Sequence, residues 1–309
     1  MKKQFWNLLK NEKGNVTVLV AVAMVAFCAI AALVIDAGAL YLEKGKLIKG
    51  TDAAVLAAAQ DLPRDRWSAE GKAFSYAYQN GIQPNHITLN ISNDNREIQA
   101  KSSNSVVFFF AKIFGLLQGQ TSAEAAVKIG NVSAVKGVAP LGIVEDDFQY
   151  GVTYTLKEGG GTGETGWYGA LAINGSGSSV YEQNLMYGSP IAIHEQYTVP
   201  TEAGNVSGAT RDGIAYRINA CNHVPRCSPS GFDPSCPRIL IVPIIRPLVY
   251  NSGHLQEVLV VGFGAFLVNS YSGNGNDSVI EGSFLQTVVD GETSESAPDY
   301  GLYTARLIK

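Results

Sequence analysis

The chain has 309 residues, 46% of them hydrophobic and only 16% charged, with a formal net charge of −4. That slightly acidic balance gives no electrostatic basis for a nucleic-acid partner. The 33 glycines and 14 tyrosines among so few charges suit a β-rich secreted body better than a helical cytosolic enzyme, and the length allows two domains beside a membrane segment.

Residues 1–15 form a basic leader expected in the cytoplasm. Lys2, Lys3, Lys10 and Lys13 accompany Trp6, Leu8 and Leu9, a mixture suited to an anionic membrane interface. Residues 16–36 are expected as a transmembrane helix. Positions 16–35 carry neither charge nor proline, and at about 1.5 Å per residue they match a hydrocarbon core of roughly 30 Å. Processing sites of two kinds, at three positions, compete with an intact anchor. Lys13-Gly14 has the form of a prepilin-peptidase site, but Leu19 stands where such substrates usually carry glutamate. Ala29-Ile30-Ala31 and Ala37-Gly38-Ala39 have the small-x-small form of a signal-peptidase site, yet the apolar run exceeds the ~7–15 residues of a signal core. The helical pattern continues through both, so an uncleaved single-pass anchor is expected. Four lysines precede the span, while Lys44, Lys46 and Lys49 follow it. This small bias and the short leader place the N-terminus inside and the rest of the chain outside the cytoplasm.

Beyond the span the same helix continues to Asp61-Leu62-Pro63. Tyr41, Ile48 and Val55, with Leu40, Leu47 and Ala54 beside them, form an apolar stripe. Gly38, Gly45 and Gly50 each weaken the helix by about 1 kcal/mol relative to alanine and allow a bend. A second helix is expected over 66–80 with Trp67, Phe74, Ala77 and Tyr78 near one face. Strands follow at 86–92 and 97–102 around the turn Asn93-Asp94-Asn95, then a buried apolar helix at 107–117 and a strand at 122–129. Residues 37–130 thus read as an α+β stem domain, 131–140 as a linker, and 141–309 as a β-rich extracytoplasmic domain. In the last, short runs at 151–156, 167–173, 239–245, 257–268 and 278–289 suggest a mainly antiparallel barrel or sandwich. The 239–245 run is the most apolar and reads as a central strand, although Pro243 and Pro247 argue for a place near an edge or bulge. The fold class is α+β.

The segments Asn11-Glu12-Lys13-Gly14-Asn15-Val16, Asp36-Ala37-Gly38-Ala39-Leu40-Tyr41, Leu47 and Asp52-Ala53-Ala54-Val55 follow one another in this order around the small-residue span. The arrangement resembles the start of TadE/TadG-like proteins of Flp-type (tight-adherence) pilus assembly systems, with Gly14, Asp36, Gly38, Tyr41, Asp52, Ala53 and Ala54 as the matching residues. The resemblance implies a bitopic, non-enzymatic envelope component whose partners are the lipid bilayer and other pilus or envelope assembly proteins. Residues 201–210 with Arg217, Cys236-Pro237-Arg238-Ile239 and Pro243 resemble the C-terminal module often attached to such stems. On their own they read as a turn-rich loop that offers hydroxyl and amide groups to a ligand or neighbour. Asp36 lies where hydrocarbon meets headgroups. It is either an interfacial carboxylate or the partner of a basic group on a neighbouring helix, with Gly38 and the nearby alanines permitting close helix–helix contact.

Motifs that would carry chemistry are weak. The run 159–166 (GGGTGETG) lacks the Lys-Ser/Thr of a phosphate loop, and Gly262-Phe263-Gly264 reads as a strand in which glycine makes room for an aromatic neighbour. Gly175-Ser176-Gly177 is not a nucleophile elbow. His86, His194, His223 and His254 are scattered, and Glu145-Asp146-Asp147 and Asp277 read as solvated turns rather than calcium ligands. No catalytic residue, metal ligand or cofactor is assigned, and no small-molecule ligand is named. Cys28 reads as an apolar filler. Cys221, Cys227 and Cys236 are expected to form one disulfide, Cys227–Cys236 or Cys221–Cys236, leaving one thiol over. A zinc site with His223 is the alternative, without the usual paired CxxC spacing. The leading reading is a membrane-anchored structural or assembly component. A surface adhesin and an anchored enzyme are its rivals.

Overall fold

The computed structural model describes residues 15–157, 169–204, 206–251, 254–273 and 278–308. The leader with Gly14, the glycine-rich run 159–166 and Asp277 lie outside the described residues. Helix α1 (Asn15–Ala59) is continuous over 45 residues, about 65–70 Å at ~1.5 Å per residue. Its apolar part reaches a mean hydropathy of 3.1 with none of that stretch buried in the protein. It is therefore long and apolar enough to cross a membrane, and it is not a core helix.

The face of α1 that packs on the protein is Leu47, Gly50, Thr51, Ala54, Val55 and Ala58, at helical spacings of three and four. This corrects the seven-residue stripe: Tyr41 is 79% and Ile48 42% exposed. A strict heptad drifts by about 20° per repeat around a straight 3.6-residue helix, so its members do not share one buried line. Helix α2 (Arg66–Gln79) is capped by Asp65, whose carboxylate accepts the N–H groups of Trp67 and Ser68. It buries Ala69, Ala73 and Ala77, while Trp67 and Tyr78 point outward, the reverse of the aromatic face expected. Small side chains on both helices let the backbones approach closely, and the alanines of α2 share one core with Ala54 and Ala58.

Between the two helices Asp61 is buried and receives Lys72 at 2.8 Å, Arg64 at 2.9 Å and the Ser68 hydroxyl at 2.5 Å. Burial alone would raise its pKa, but the bonds from Lys72 and Ser68 and the charges of Lys72 and Arg64 outweigh it and lower the pKa below 3.8. A carboxylate with a lowered folded pKa contributes stability above its unfolded pKa and loses it as pH falls through the folded one. Asp61→Asn is expected to cost about 1–2 kcal/mol at neutral pH, a value reduced for the partly exposed cations, and the difference from the parent should shrink below about pH 4. Urea titrations at several pH values check this. A constant difference across the acid range would show that the charge is immaterial.

Strands β1 (Ile87–Ile91), β2 (Glu97–Val107) and β3 (Gln118–Val135) form an antiparallel meander, with Ile91 opposite Ile98 and Val107 opposite Gln118. β3 runs without interruption from the stem into the residues expected as a linker. Residues 107–117 are not a buried helix. They form the tip of the β2–β3 hairpin, closed by Phe108 N–H donating to Leu117 O at 3.1 Å and containing one 3₁₀ turn, Ala111–Phe114. Phe109, Ile113, Phe114, Leu116 and Leu117 are all exposed.

The remainder contains β4 (Ile143–Val144), β5 (Thr153–Lys157), helix α3 (Ser178–Tyr187), β6 (Ile193–His194), β7 (Thr198–Pro200), helix α4 (Ser207–Ala220), β8 (Ile239–Asn251), β9 (His254–Ser272), β10 (Val279–Leu285), β11 (Thr287–Val288), β12 (Glu292–Thr293) and β13 (Leu302–Ile308). One sheet has the order β1-β2-β3-β13-β11, and the other β4-β8-β9-β10-β5 with β7 on β9. The whole is α+β, and its β-rich part is mainly antiparallel. β8 is flanked on one side only by the two-residue β4 and an isolated bridge at Ile241, and it bulges after Ile244 and Pro247, as its prolines suggest. Gly262 and Gly264 make room for the rings of Tyr300 and Phe284.

Helix α4 begins at Ser207, inside the 201–210 stretch expected as a turn-rich loop, and packs against α3. Gly213 does not break α4, because Leu185 of α3 packs where its Cβ would stand, at 2.9 Å. Arg217 is buried and gives its hydrogens to the carbonyls of Leu185, Pro237 and Ile239. Burial lowers its pKa to about 10.

Candidate functional site

The lower half of α1 lies along the β2–β3 hairpin in a ladder of side-chain contacts. Thr51 Oγ1 meets Ser102 Oγ at 2.6 Å, Asn104 donates to Glu43 at 2.7 Å, and Lys44 donates to the Ser122 carbonyl. Nearer the apolar span, Leu40 and Phe108 close over Gly119, where a Cβ would fall 3.0 Å from Leu40 and 2.6 Å from Phe108. The last rung is Asp36, buried although it follows directly on the uncharged span. Its Oδ1 accepts the N–H of Phe109 at 2.7 Å, and its Oδ2 accepts those of Phe110 at 3.0 Å and Ala111 at 2.7 Å. Three donors of a tight turn are thereby satisfied by one charge, as at a helix N-cap.

Asp36 therefore faces the chain's own backbone, which neither sequence reading of it foresaw. Among the described residues no atom from outside the helix lies within 4 Å of a Cβ added at Gly38, so that face of the helix is open. Tyr41 is exposed beside it. Ala53 is half-buried and Ala54 fully buried. Partial burial raises the pKa of Asp52. Of the described family-motif residues only Ala54 belongs to the hydrophobic core between α1, α2 and the β1–β2–β3 meander.

The structure brings Cys221, Cys227 and Cys236 together with His223 in the segment between α4 and β8. All three cysteines are free thiols, and Cys28 is free on the exposed span. Cys221 Sγ lies 3.5 Å from Cys236 Sγ and 3.7 Å from His223 Nδ1. The hydrogen bond from His223 chiefly lowers the Cys221 thiol to about 6, whereas burial pushes Cys236 up to about 12. Elsewhere, Glu145 is taken by Arg246 through two hydrogen bonds, and Glu202, inside the 201–210 stretch, accepts the Gly177 N–H with both oxygens.

These features define a protein with one anchor-like helix whose base is tied to an α+β body by a buried carboxylate. Residues 14–61 match the model of a family described as "Putative Flp pilus-assembly TadE/G-like". The matched segment covers α1 and therefore includes Asp36 and the stem-packing face. No curated protein and no solved structure matches the chain.

Proposed function

We propose that the chain is a non-catalytic, single-pass structural or assembly component of a Flp-type pilus or a related envelope machine, with its N-terminus in the cytoplasm and its body outside. In this reading residues 16–36 cross the bilayer, 37–130 form the stem, and Gly38 and neighbouring small residues face other membrane helices. The observation that carries it is the attachment at Asp36. An apolar helix with its surface wholly uncovered runs on into the body and is fastened there within the stretch that matches the pilus-assembly family. The exposed apolar tip 107–117 is held at the same level as the end of the span, so it lies in the membrane interface, where Phe109, Ile113 and Phe114 meet lipid rather than water.

The experiment is mass spectrometry of the membrane-extracted chain, combined with cross-linking and co-purification from intact envelopes. An uncleaved N-terminus is expected, with recovery of other pilus or envelope assembly proteins, and a mature chain beginning at Asn15 would show processing at Gly14 instead. A mature chain beginning at Leu40 would remove Asp36 and overturn the anchor. An anchored chain recovered without any such partner would favour an independent adhesin.

A further inference from the structure

Cys221, His223, Cys227 and Cys236 form a C-x-H-x3-C-x8-C pattern, and one donor atom from each lies within 4.8 Å of all the others. We infer that these residues are a structural zinc site, a closed Cys3His tetrahedron that fixes the segment between α4 and β8. Thiolate and imidazole donors select zinc among the common divalent ions, and four protein ligands leave no open position for substrate.

The distances favour a shared ion over a disulfide. Zinc bonds of about 2.3 Å to sulfur and 2.0–2.1 Å to nitrogen give tetrahedral edges of roughly 3.5–3.8 Å. The pairs Cys221–Cys236 at 3.5 Å and Cys221–His223 at 3.7 Å stand at that spacing. A disulfide draws two sulfurs to about 2.05 Å; it would use two of the three thiols and give the imidazole no role.

The surroundings are built as the supporting shell of a metal site is built. His223 turns Nδ1 toward the sulfurs and Nε2 toward the Asp233 carboxylate, at 3.6 Å. Asp233 is itself fixed by the N–H and hydroxyl of Ser235 at 2.8 and 2.6 Å. A carboxylate behind a ligating imidazole sets its tautomer and orientation. Arg238 is buried beside the cluster and holds the Cys227 carbonyl at 2.9 Å and the Val268 carbonyl at 2.8 Å. Three thiolates, one neutral imidazole and Zn²⁺ carry a net charge of −1, which the Arg238 guanidinium offsets.

The placement gives the ion a task. Cys227 and Cys236 are buried in the core that joins β3 to the β8–β9 hairpin. Between them Phe232 lies under the Arg64 guanidinium, 4.5 Å from the ring centre, at the turn that follows α1. Zinc would order this segment and with it the joint between stem and body. That role does not depend on the side of the membrane on which the body lies.

The test uses the full chain in detergent, prepared without chelator, with metal content measured by elemental mass spectrometry and thiols counted by alkylation after denaturation with chelator. One zinc per chain and three alkylatable thiols among the cluster cysteines are expected. Metal-free protein should take up one equivalent of added Zn²⁺, and Co²⁺ in its place should show the visible absorption of a tetrahedral thiolate complex. Asp233→Asn leaves all four ligands in place and should weaken zinc roughly 10–100-fold in competition with a chromogenic chelator, while His223→Ala should abolish stoichiometric binding. A disulfide between any two of the three cysteines in metal-free protein, no uptake of added Zn²⁺, or unchanged affinity in both variants would each overturn the assignment.

Discussion

Replacing Asp36 by alanine is expected to unfasten the 107–117 tip from α1 while leaving the helix in the membrane. The substitution removes both oxygens that accept from Phe109, Phe110 and Ala111, and the contact of Leu40 and Phe108 over Gly119 is then the nearest remaining tie. Amide exchange at 109–111 should accelerate on the order of tenfold or more, while β2 and β3 keep their protection. Asp36→Asn retains one acceptor oxygen and should be intermediate. Insertion should become easier in both variants, because a charge at the edge of an apolar span is removed. Reduced recovery with assembly partners, at undiminished membrane content, would then belong to the released tip. Unchanged exchange at 109–111 in Asp36→Ala would show that the carboxylate does not hold it.

The largest loss of stability is expected from Gly188→Ala. Gly188 ends α3 at φ 80 and ψ 158, a region open essentially only to glycine. A Cβ there would stand 2.4 Å from the Gly137 carbonyl oxygen and 2.5 Å from its Cα. Neither backbone can retreat. Gly188 N–H donates to Asn184 O at 2.8 Å, Gly137 N–H to Ser189 O at 2.9 Å and Ser189 N–H to Val138 O at 2.9 Å. Strain and overlap together should cost about 4 kcal/mol or more, a large part of the margin of an ordinary domain. Gly71→Ala is the control. It lies inside α2 with nothing within 4 Å, and it should stabilise by about 0.5–1 kcal/mol. Equal urea midpoints for parent and Gly188→Ala would defeat the prediction.

The anchor was legible because its length is dictated by the bilayer and its composition by the lack of water there. The order of Asp36, Gly38, Tyr41 and the Asp52-Ala53-Ala54 run was legible as a motif, but the partner of Asp36 lies more than seventy positions away, in a turn whose backbone carries no sequence signature. Residues 107–117 were misjudged because apolar composition reports avoidance of water and cannot say whether protein or lipid replaces it. On α2 the aromatics carry the stronger hydrophobic signal, although alanine is what permits two helices to approach. Helix α4 was hidden by Gly208 and Gly213, residues that favour loops unless a neighbour such as Leu185 needs the space. The cysteine cluster gave its residue types but not its geometry, since an x, x3 and x8 spacing does not by itself say that the four side chains converge.

The pairing of β13 with β3 sets a schedule for biogenesis. Ala126 waits for Ile308 and Asn131 for Tyr303, so one edge of β3 stays open until roughly 170–180 more residues have been made, about 10–35 s at ordinary synthesis rates. During that interval a long strand keeps unpaired amides and carbonyls along one edge, and such an edge templates wrong pairing between copies of the chain. The distant register also raises the contact order and slows closure after synthesis ends. The β1–β2–β3 sheet is therefore among the first parts to leave the ribosome and among the last to be completed, and a chaperone acting on the nascent chain has the open edge of β3 as its first substrate.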